Sequence, residues 1–227
     1  MNRKARVLIT VSVVVIALVA TGLVIILDHQ AGNPTRNQNP STRISIDQAT
    51  AAVQTYLGKI GYSNLGIKSM QEYSNMYYAQ VVEQNNGTGS FELSVNKTTG
   101  VVTPMQGPTI LWNMKYGVNN NGMMSYLTNT SSGSGMMGGN GMMTWLRGTP
   151  TTNMATSIEQ AKILAQQYLD ANNTGTTVGQ VTTYYGYYTM QVLKDGNVVG
   201  MMGIYGNTGQ IMNYTWMGTF IQQKVIE

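Results

Sequence analysis

Paired methionines are the residues of this 227-residue chain whose type and spacing could do chemistry. Three pairs lie in a Gly-, Asn- and Ser-rich background: Met123 and Met124, Met136 and Met137, and Met142 and Met143. The thioether is a soft, neutral ligand, and the chain has no Cys and a single His to compete with it. Two or three of these side chains could close around Cu(I) or Ag(I), so the segment is a candidate metal-binding loop.

The same methionines allow a second interpretation, because an unbranched Met side chain fills irregular gaps in a core or at an interface. A fourth pair, Met201 and Met202, lies in a predicted strand, where packing is the expected role. A Gly-Met-Met loop could equally pack on a partner subunit or on a membrane surface. For the loop pairs both interpretations stay open.

Groups for catalysis are sparse. The absence of Cys excludes thiolate zinc sites, iron–sulfur clusters and Cys nucleophiles. The single His29 lies in a predicted linker, so neither a Ser-His-Asp triad nor a multi-His metal site can form within the chain. The nine acidic residues show no pairing suited to general acid–base catalysis, since most lie at predicted helix starts, turns or ends. We therefore expect no enzymatic activity and no catalytic residues.

Charge excludes a further class of function. The net charge is +4, but Arg3, Lys4 and Arg6 stand together at the N-terminus, and the rest of the chain is nearly neutral. A nucleic-acid-binding protein needs a basic patch to neutralise phosphates, and none is present in the sequence. No nucleic-acid partner is expected.

Residues 1–27 are predicted to be a transmembrane anchor. The 21 residues from Val7 to Leu27 carry no charge, and as a helix they would span about 31 Å, the thickness of the bilayer core. Cations before this segment predict an N-terminus in the cytoplasm, with the bulk of the chain extracytoplasmic and held at the cell membrane. A cleaved signal peptide is the alternative, but its apolar region is normally shorter. Residues 28–43 are predicted to be a stalk linker.

The rest of the chain contains a duplication. The segment Ser45–Leu57 recurs as Ser157–Leu169 with seven of thirteen positions identical. Each copy starts with Ser and has Gln three residues later, which predicts a capped amphipathic helix, near residues 45–58 and 157–170. Period-two strands are predicted to follow each helix, at 67–73, 76–83, 90–96 and 101–105, and at 178–184, 187–193, 198–205 and 210–216. Because a unit of about 65 residues has a marginal core, the two copies are expected to pack together.

These features resemble the PepSY domain, named from peptidase propeptides and YpeB. The residues that carry the resemblance are S-I-[DE]-Q-A near each helix start, the Tyr-Tyr strand, and the turns Thr99-Gly100 and Thr208-Gly209. The sequence pattern and the resemblance together predict an α+β fold: an N-terminal transmembrane helix followed by two repeats, at 44–117 and 155–227, of one helix packed on an antiparallel β-meander. A Gly/Met/Asn-rich insert at 118–154 would separate the repeats.

The resemblance also implies a small binding or inhibitory module without catalytic residues. The stretches 107–117 and 214–218 look like a PepSY-like group that carries a Met- and Gly-rich insert between its repeats. That group is expected to have His beside the terminal Trp, where this chain has Tyr214 and Met217. A His metal site therefore does not carry over.

Five N-x-[ST] sequons are candidates for glycosylation if the source organism modifies Asn outside the cell. All but the last fall in predicted loops or turns, and they are Asn86, Asn96, Asn129, Asn172 and Asn213.

The leading hypothesis is a non-catalytic, membrane-anchored extracytoplasmic binding module. It would act as an accessory or regulatory subunit of a membrane or secreted protein partner. The alternatives are a Cu(I)/Ag(I) chaperone that uses the loop methionines, and a structural cell-surface protein that assembles through exposed strand edges.

Overall fold

Each half of the described chain starts with a capped helix. A computed structural model describes residues 43–117 and 150–226. Helix α1 spans Ile46–Lys59, the four-residue α2 spans Pro108–Leu111, and α3 spans Ile158–Asn172. Ser45 and Ser157 are the N-caps of α1 and α3, and each forms a capping box with the Gln three residues on. The two predicted helices and their caps are confirmed.

Strands follow each helix close to the predicted positions. After α1 come β1 (Leu65–Tyr73), β2 (Tyr77–Glu83), β3 (Gly89–Val95) and β4 (Val102–Pro104). After α3 come β5 (Thr176–Tyr184), β6 (Tyr187–Lys194), β7 (Asn197–Tyr205) and β8 (Ile211–Asn213), then a 3₁₀ turn (Thr215–Met217) and β9 (Phe220–Val225). Asp195 and Gly196 both have positive φ, at 50° and 77°, as the type I′ turn of the β6–β7 hairpin requires.

The predicted fold class was wrong. Within the described residues the strands form one mixed sheet of nine, in the order β8-β7-β6-β5-β3-β2-β1-β9, with β4 paired to β3. They do not form two separate helix-on-meander repeats. Gly89 of β3 pairs in parallel with Tyr184 of β5, which joins the two sets of strands. β9, from the end of the second half, pairs with β1 of the first. Merging removes edges on which backbone groups would otherwise lack partners.

The predicted membrane anchor is also corrected. Residues 7–27 lie outside the described residues. Across 43–117 and 150–226, the structure contains no helix with the length and apolar character needed to cross a membrane. This finding contradicts the predicted localisation in the cell membrane.

Apolar residues of the strands face the helices in each half. In the first half, Val53 and Leu57 of α1 pack on a cluster that includes Val81, Phe91 and Leu93. In the second half, α3 packs on a cluster built around Met190, Met202 and Ile204. Tyr78, Tyr184 and Tyr187 on the other face of the sheet are buried as well. Both faces of the sheet are therefore covered, and the polar residues on the second face must find partners inside the protein.

Candidate functional site

Buried polar side chains occupy the sheet face that points away from α1 and α3. Alternation along a strand places successive side chains on opposite faces, so the residues between the core positions share this second face. We call them the polar layer: Ser69, Gln71, Tyr73, Tyr78, Gln80, Glu92, Tyr184, Tyr187, Thr189, Gln191 and Tyr214. Hydrogen bonds cross between the halves here, from Gln80 Nε2 to Thr189 Oγ1 at 3.1 Å and from Gln71 Nε2 to Gln223 Oε1 at 3.3 Å. The polar layer thus connects the two halves.

A single carboxyl lies at the centre of the polar layer. Glu92 of β3 is fully buried and accepts hydrogen bonds from four hydroxyl groups contributed by both halves. The donors are Tyr78 at 2.5 Å and Tyr214 at 3.1 Å to Oε1, and Tyr187 at 3.1 Å and Thr109 at 3.0 Å to Oε2. The Glu92 amide in turn donates to Thr109 Oγ1 at 2.9 Å. The Glu92 side chain therefore connects β3 with β2, α2, β6 and the residue that follows β8.

Burial controls the electrostatics of this cluster. Removal from water penalises the carboxylate and raises the pKa of Glu92 above its ordinary value, although the hydroxyl donors, led by Tyr78, act in the opposite direction. Burial also raises the pKa values of Tyr78, Tyr187 and Tyr214 well above normal, and the Glu92 charge adds to that effect. The tyrosines therefore stay protonated donors.

The parallel pairing of the two halves depends on a glycine beside this cluster. A Cβ placed on Gly89 would lie 2.5 Å from Cδ1 of the Tyr184 ring, which real contacts do not allow. Tyr184 in turn stacks on Tyr187, with ring centroids 4.6 Å apart. Only a residue without a side chain lets β3 approach this aromatic pair, so Gly89 sets the join between the halves.

The Glu92 cluster is suited to holding the fold together rather than to acting on a ligand. Its carboxyl and tyrosine hydroxyl groups are enclosed by protein, and a substrate would need to reach them for acid–base chemistry. Within the described residues, no group of three or more His, Cys, Asp or Glu side chains is arranged to hold a metal ion.

A second buried carboxyl binds a lysine near the same join. Glu83 accepts from Lys115 Nζ at 2.6 Å, from Tyr116 at 2.7 Å and, across the halves, from Tyr185 at 3.0 Å. Burial alone would raise the pKa of Glu83, but its hydrogen bonds, led by the one from Lys115, lower it below the ordinary value. Glu83 is therefore an ionised partner that fixes Lys115 and the two tyrosines in place.

A surface cavity of the described residues lies at the start of β1. It has a volume of about 740 Å³, within the size range of ligand sites in proteins. Its walls come from the end of α1, the following turn, β1, and the ends of β2 and β9; the lining residues are Gln54, Leu57, Gly58, Tyr62, Ser63, Leu65, Gly66, Ile67, Lys68, Val82, Gln84 and Ile226. We call it the β1 cleft. Apolar side chains dominate, with two amides and one cation among them.

The β1 cleft follows an open strand edge. β9 pairs with β1 only over residues 69–73, and in the described part of the chain no strand pairs with the outer edge of residues 65–67. On the other edge, Gln84 N donates to Asn64 O at 2.9 Å. Because hydrogen bonding alternates along an antiparallel ladder, the backbone groups of Leu65 and Ile67 point away from β2, toward the cleft.

The methionines and sequons of the sequence analysis are placed only in part. Met123, Met124, Met136, Met137, Met142 and Met143 lie outside the described residues, as does Asn129. Met201 and Met202 are buried, which confirms their predicted packing role. Asn86 and Asn96 are exposed in turns; Asn172 is exposed but ends α3, and Asn213 is half-buried in β8. Cu(I) binding and glycosylation stay predictions.

Sequence reasoning missed Glu92 and the β1 cleft. In Phe91-Glu92-Leu93 the alternation is that of a strand with one wet face, and nothing in the predicted strand at 90–96 marked Glu92 as a buried residue. One signal could have identified the buried face: its residues on several strands are hydroxyls and amides, such as Ser69, Gln80 and Thr189, rather than the charged residues usual on wet strands. The cleft had no such signal, because it forms where β9 stops.

Comparison with known proteins adds one distant likeness in fold. No family model matches the sequence, and no curated protein shows significant similarity to it. Among solved structures, the chain is similar to the Bacillus megaterium YpeB C-terminal domain, with 13% identity, covering 78% of this chain and 69% of that chain, at a TM-score of 0.34. A likeness at this identity and TM-score assigns neither a family, an activity nor a partner.

Proposed function

We propose that this chain is a non-catalytic binding module, an accessory or regulatory subunit whose protein partner inserts an extended segment into the β1 cleft. The observation that carries the proposal is the coincidence of an apolar cavity with an open strand edge. An extended peptide can pair with such an edge through its backbone and place alternate side chains in adjacent pockets.

The dimensions fit a short segment. The open edge covers residues 65–67, about 10 Å at the rise of a β-strand, which a partner strand of three to four residues would fill. Leu57 and Ile67 line the apolar wall, and Tyr62 is 39% exposed. An exposed aromatic ring beside an apolar wall is a common anchor for a partner side chain.

A blocking substitution tests this function in the whole protein. Gly58 lines the cleft, and a Cβ added there meets no heavy atom within 4 Å. Gly58→Trp should therefore fill the cleft while the fold stays intact, since Gly is unfavourable within a helix. Ala51→Trp, on an exposed position of the same helix outside the cleft lining, is the matched control.

The readout is site-specific cross-linking in cells of the source organism. With p-benzoylphenylalanine at position 62, we expect a discrete cross-linked protein, which Gly58→Trp removes and Ala51→Trp leaves. The same photo-reactive residue at position 111, where Leu111 is 55% exposed and does not line the cleft, should give none. Equal cross-linking from both positions, or a product unaffected by Gly58→Trp, would contradict the proposal.

A further inference from the structure

Of the described residues that line the β1 cleft, Lys68 is the one cation and none is a carboxylate. The side chain is half-buried, and its Nζ donates to the neutral hydroxyl of Thr182 at 2.8 Å. Three other lysines of the described chain, Lys97, Lys115 and Lys224, each form an ion pair with a carboxylate at 2.6 Å. Among the described residues, none supplies such a partner within 4.0 Å of Lys68.

The lack of a carboxylate has an energetic consequence. An ammonium group removed from water is costly unless it is paired, and a single neutral hydroxyl compensates only part of that cost. Burial accordingly lowers the pKa of Lys68. An anion that reached Nζ from the cleft would provide the missing partner at a half-buried position, where reduced contact with water strengthens the interaction.

The position of Lys68 determines where along the open edge of β1 an acidic side chain of a bound strand would lie. Lys68 lies at an irregularity of the β1–β2 ladder, between Ile67 and Ser69, and its carbonyl accepts from Ile226 N at 3.1 Å. It therefore marks the place where β9 ends and the open edge begins. A strand added to residues 65–67 would have one end beside this lysine.

From this geometry we infer that the β1 cleft selects an acidic peptide: an extended segment of the partner with an Asp or Glu side chain that binds Lys68, next to apolar side chains that contact Leu57 and Ile67. This inference rests on the proposed function and adds the chemistry of the partner to it.

Peptide selection tests the two statements separately. A display library of random heptapeptides is selected on the full-length protein, and again on Lys68→Gln. We expect apolar sequences with one acidic position from the first selection, and loss of the acidic position from the second. Lys194→Gln, a change at an exposed lysine of the β6–β7 hairpin, is the control and should select the same acidic sequences as the unchanged protein.

Affinities of one selected peptide then quantify the effect. Changing its acidic residue to the amide should weaken binding about tenfold, the equivalent of about 1.4 kcal/mol, in the unchanged protein. On Lys68→Met, which retains the apolar stem, acid and amide peptides should bind equally. A peptide with Lys in place of the acid should bind Lys68→Glu better than the unchanged protein.

The outcomes are distinct. One outcome is that the selected peptides show no acidic preference and still prevent the cross-link at position 62 that Gly58→Trp removes. That result would overturn the Lys68 inference and leave the proposed function standing. Selection of no peptide at all would count against both. An acidic preference that persists in Lys68→Gln and Lys68→Met would show that another group reads the charge and would also overturn the inference.

Discussion

Replacement of Glu92 by Leu should destabilise the protein more than any other single change in the polar layer. Leu has a similar volume but no acceptor, so four buried hydroxyl groups lose their shared partner. Thr109 and Tyr187 can still bond to each other across 3.1 Å, which leaves Tyr78 and Tyr214 unsatisfied. At about 1–3 kcal/mol for each buried unsatisfied group, the free energy of unfolding should fall by about 2–6 kcal/mol.

Glu92→Gln is the matched variant, because it keeps an acceptor oxygen and cannot ionise. The folded pKa of Glu92 is raised, so its protonated form favours folding. That contribution is complete below the pKa of an unfolded Glu, about 4.3, and is lost as pH rises through the folded pKa. The stability of the unchanged protein relative to Glu92→Gln should therefore decline as pH rises from about 4 upward.

Urea unfolding followed by tryptophan fluorescence at several pH values measures both effects. The carboxyls with lowered pKa, Glu72 and Glu83, act in the opposite sense, losing their contribution as pH falls below about 4.3. They are present in both proteins and cancel in the comparison. The reasoning fails if Glu92→Leu is as stable as the unchanged protein, or if Glu92→Gln has the same stability-versus-pH curve.

Three further predictions concern other parts of the molecule. Gly89→Ala should lower the free energy of unfolding by about 1–3 kcal/mol through its clash with Tyr184; unchanged urea unfolding would refute this. Lys97→Met should cost about 3 kcal/mol in the same assay, because it leaves Glu72 without its buried partner at 2.6 Å. If the predicted Cu(I) site exists, anaerobic titration of the unchanged protein should show Cu(I) uptake tighter than micromolar. A variant with six methionines replaced by Leu should lose this uptake while its thermal stability stays almost unchanged; the six are Met123, Met124, Met136, Met137, Met142 and Met143.

Local sequence signals predicted the local structure well. The Ser-to-Gln spacing predicted both helix starts, and the strands predicted at 187–193 and 198–205 flank the Asp195-Gly196 turn, because capping and turn chemistry act over a few residues. Met201 and Met202 were correctly expected to pack, since apolar residues in a strand need a covered face.

Long-range pairings could not be predicted in the same way. The join of β3 to β5 depends on the contact of Gly89 with Tyr184, 95 positions apart in the sequence, and nothing near either residue specifies it. β9 was not predicted as a strand because its stability comes from pairing with β1. Glu92 was not recognised because its donors come from β2, α2, β6 and the residue that follows β8. The β1 cleft depends on where β9 ends.

Backbone amide hydrogen exchange at the open edge of β1 tests the central claim most directly. The claim is that a partner segment pairs with residues 65–67, so the amides of Leu65 and Ile67, which point into the cleft, should exchange freely in the isolated protein and become protected in the complex. The amides of β8, at the opposite edge of the sheet, should not change. Protection at β8 without protection at Leu65 and Ile67 would contradict the account.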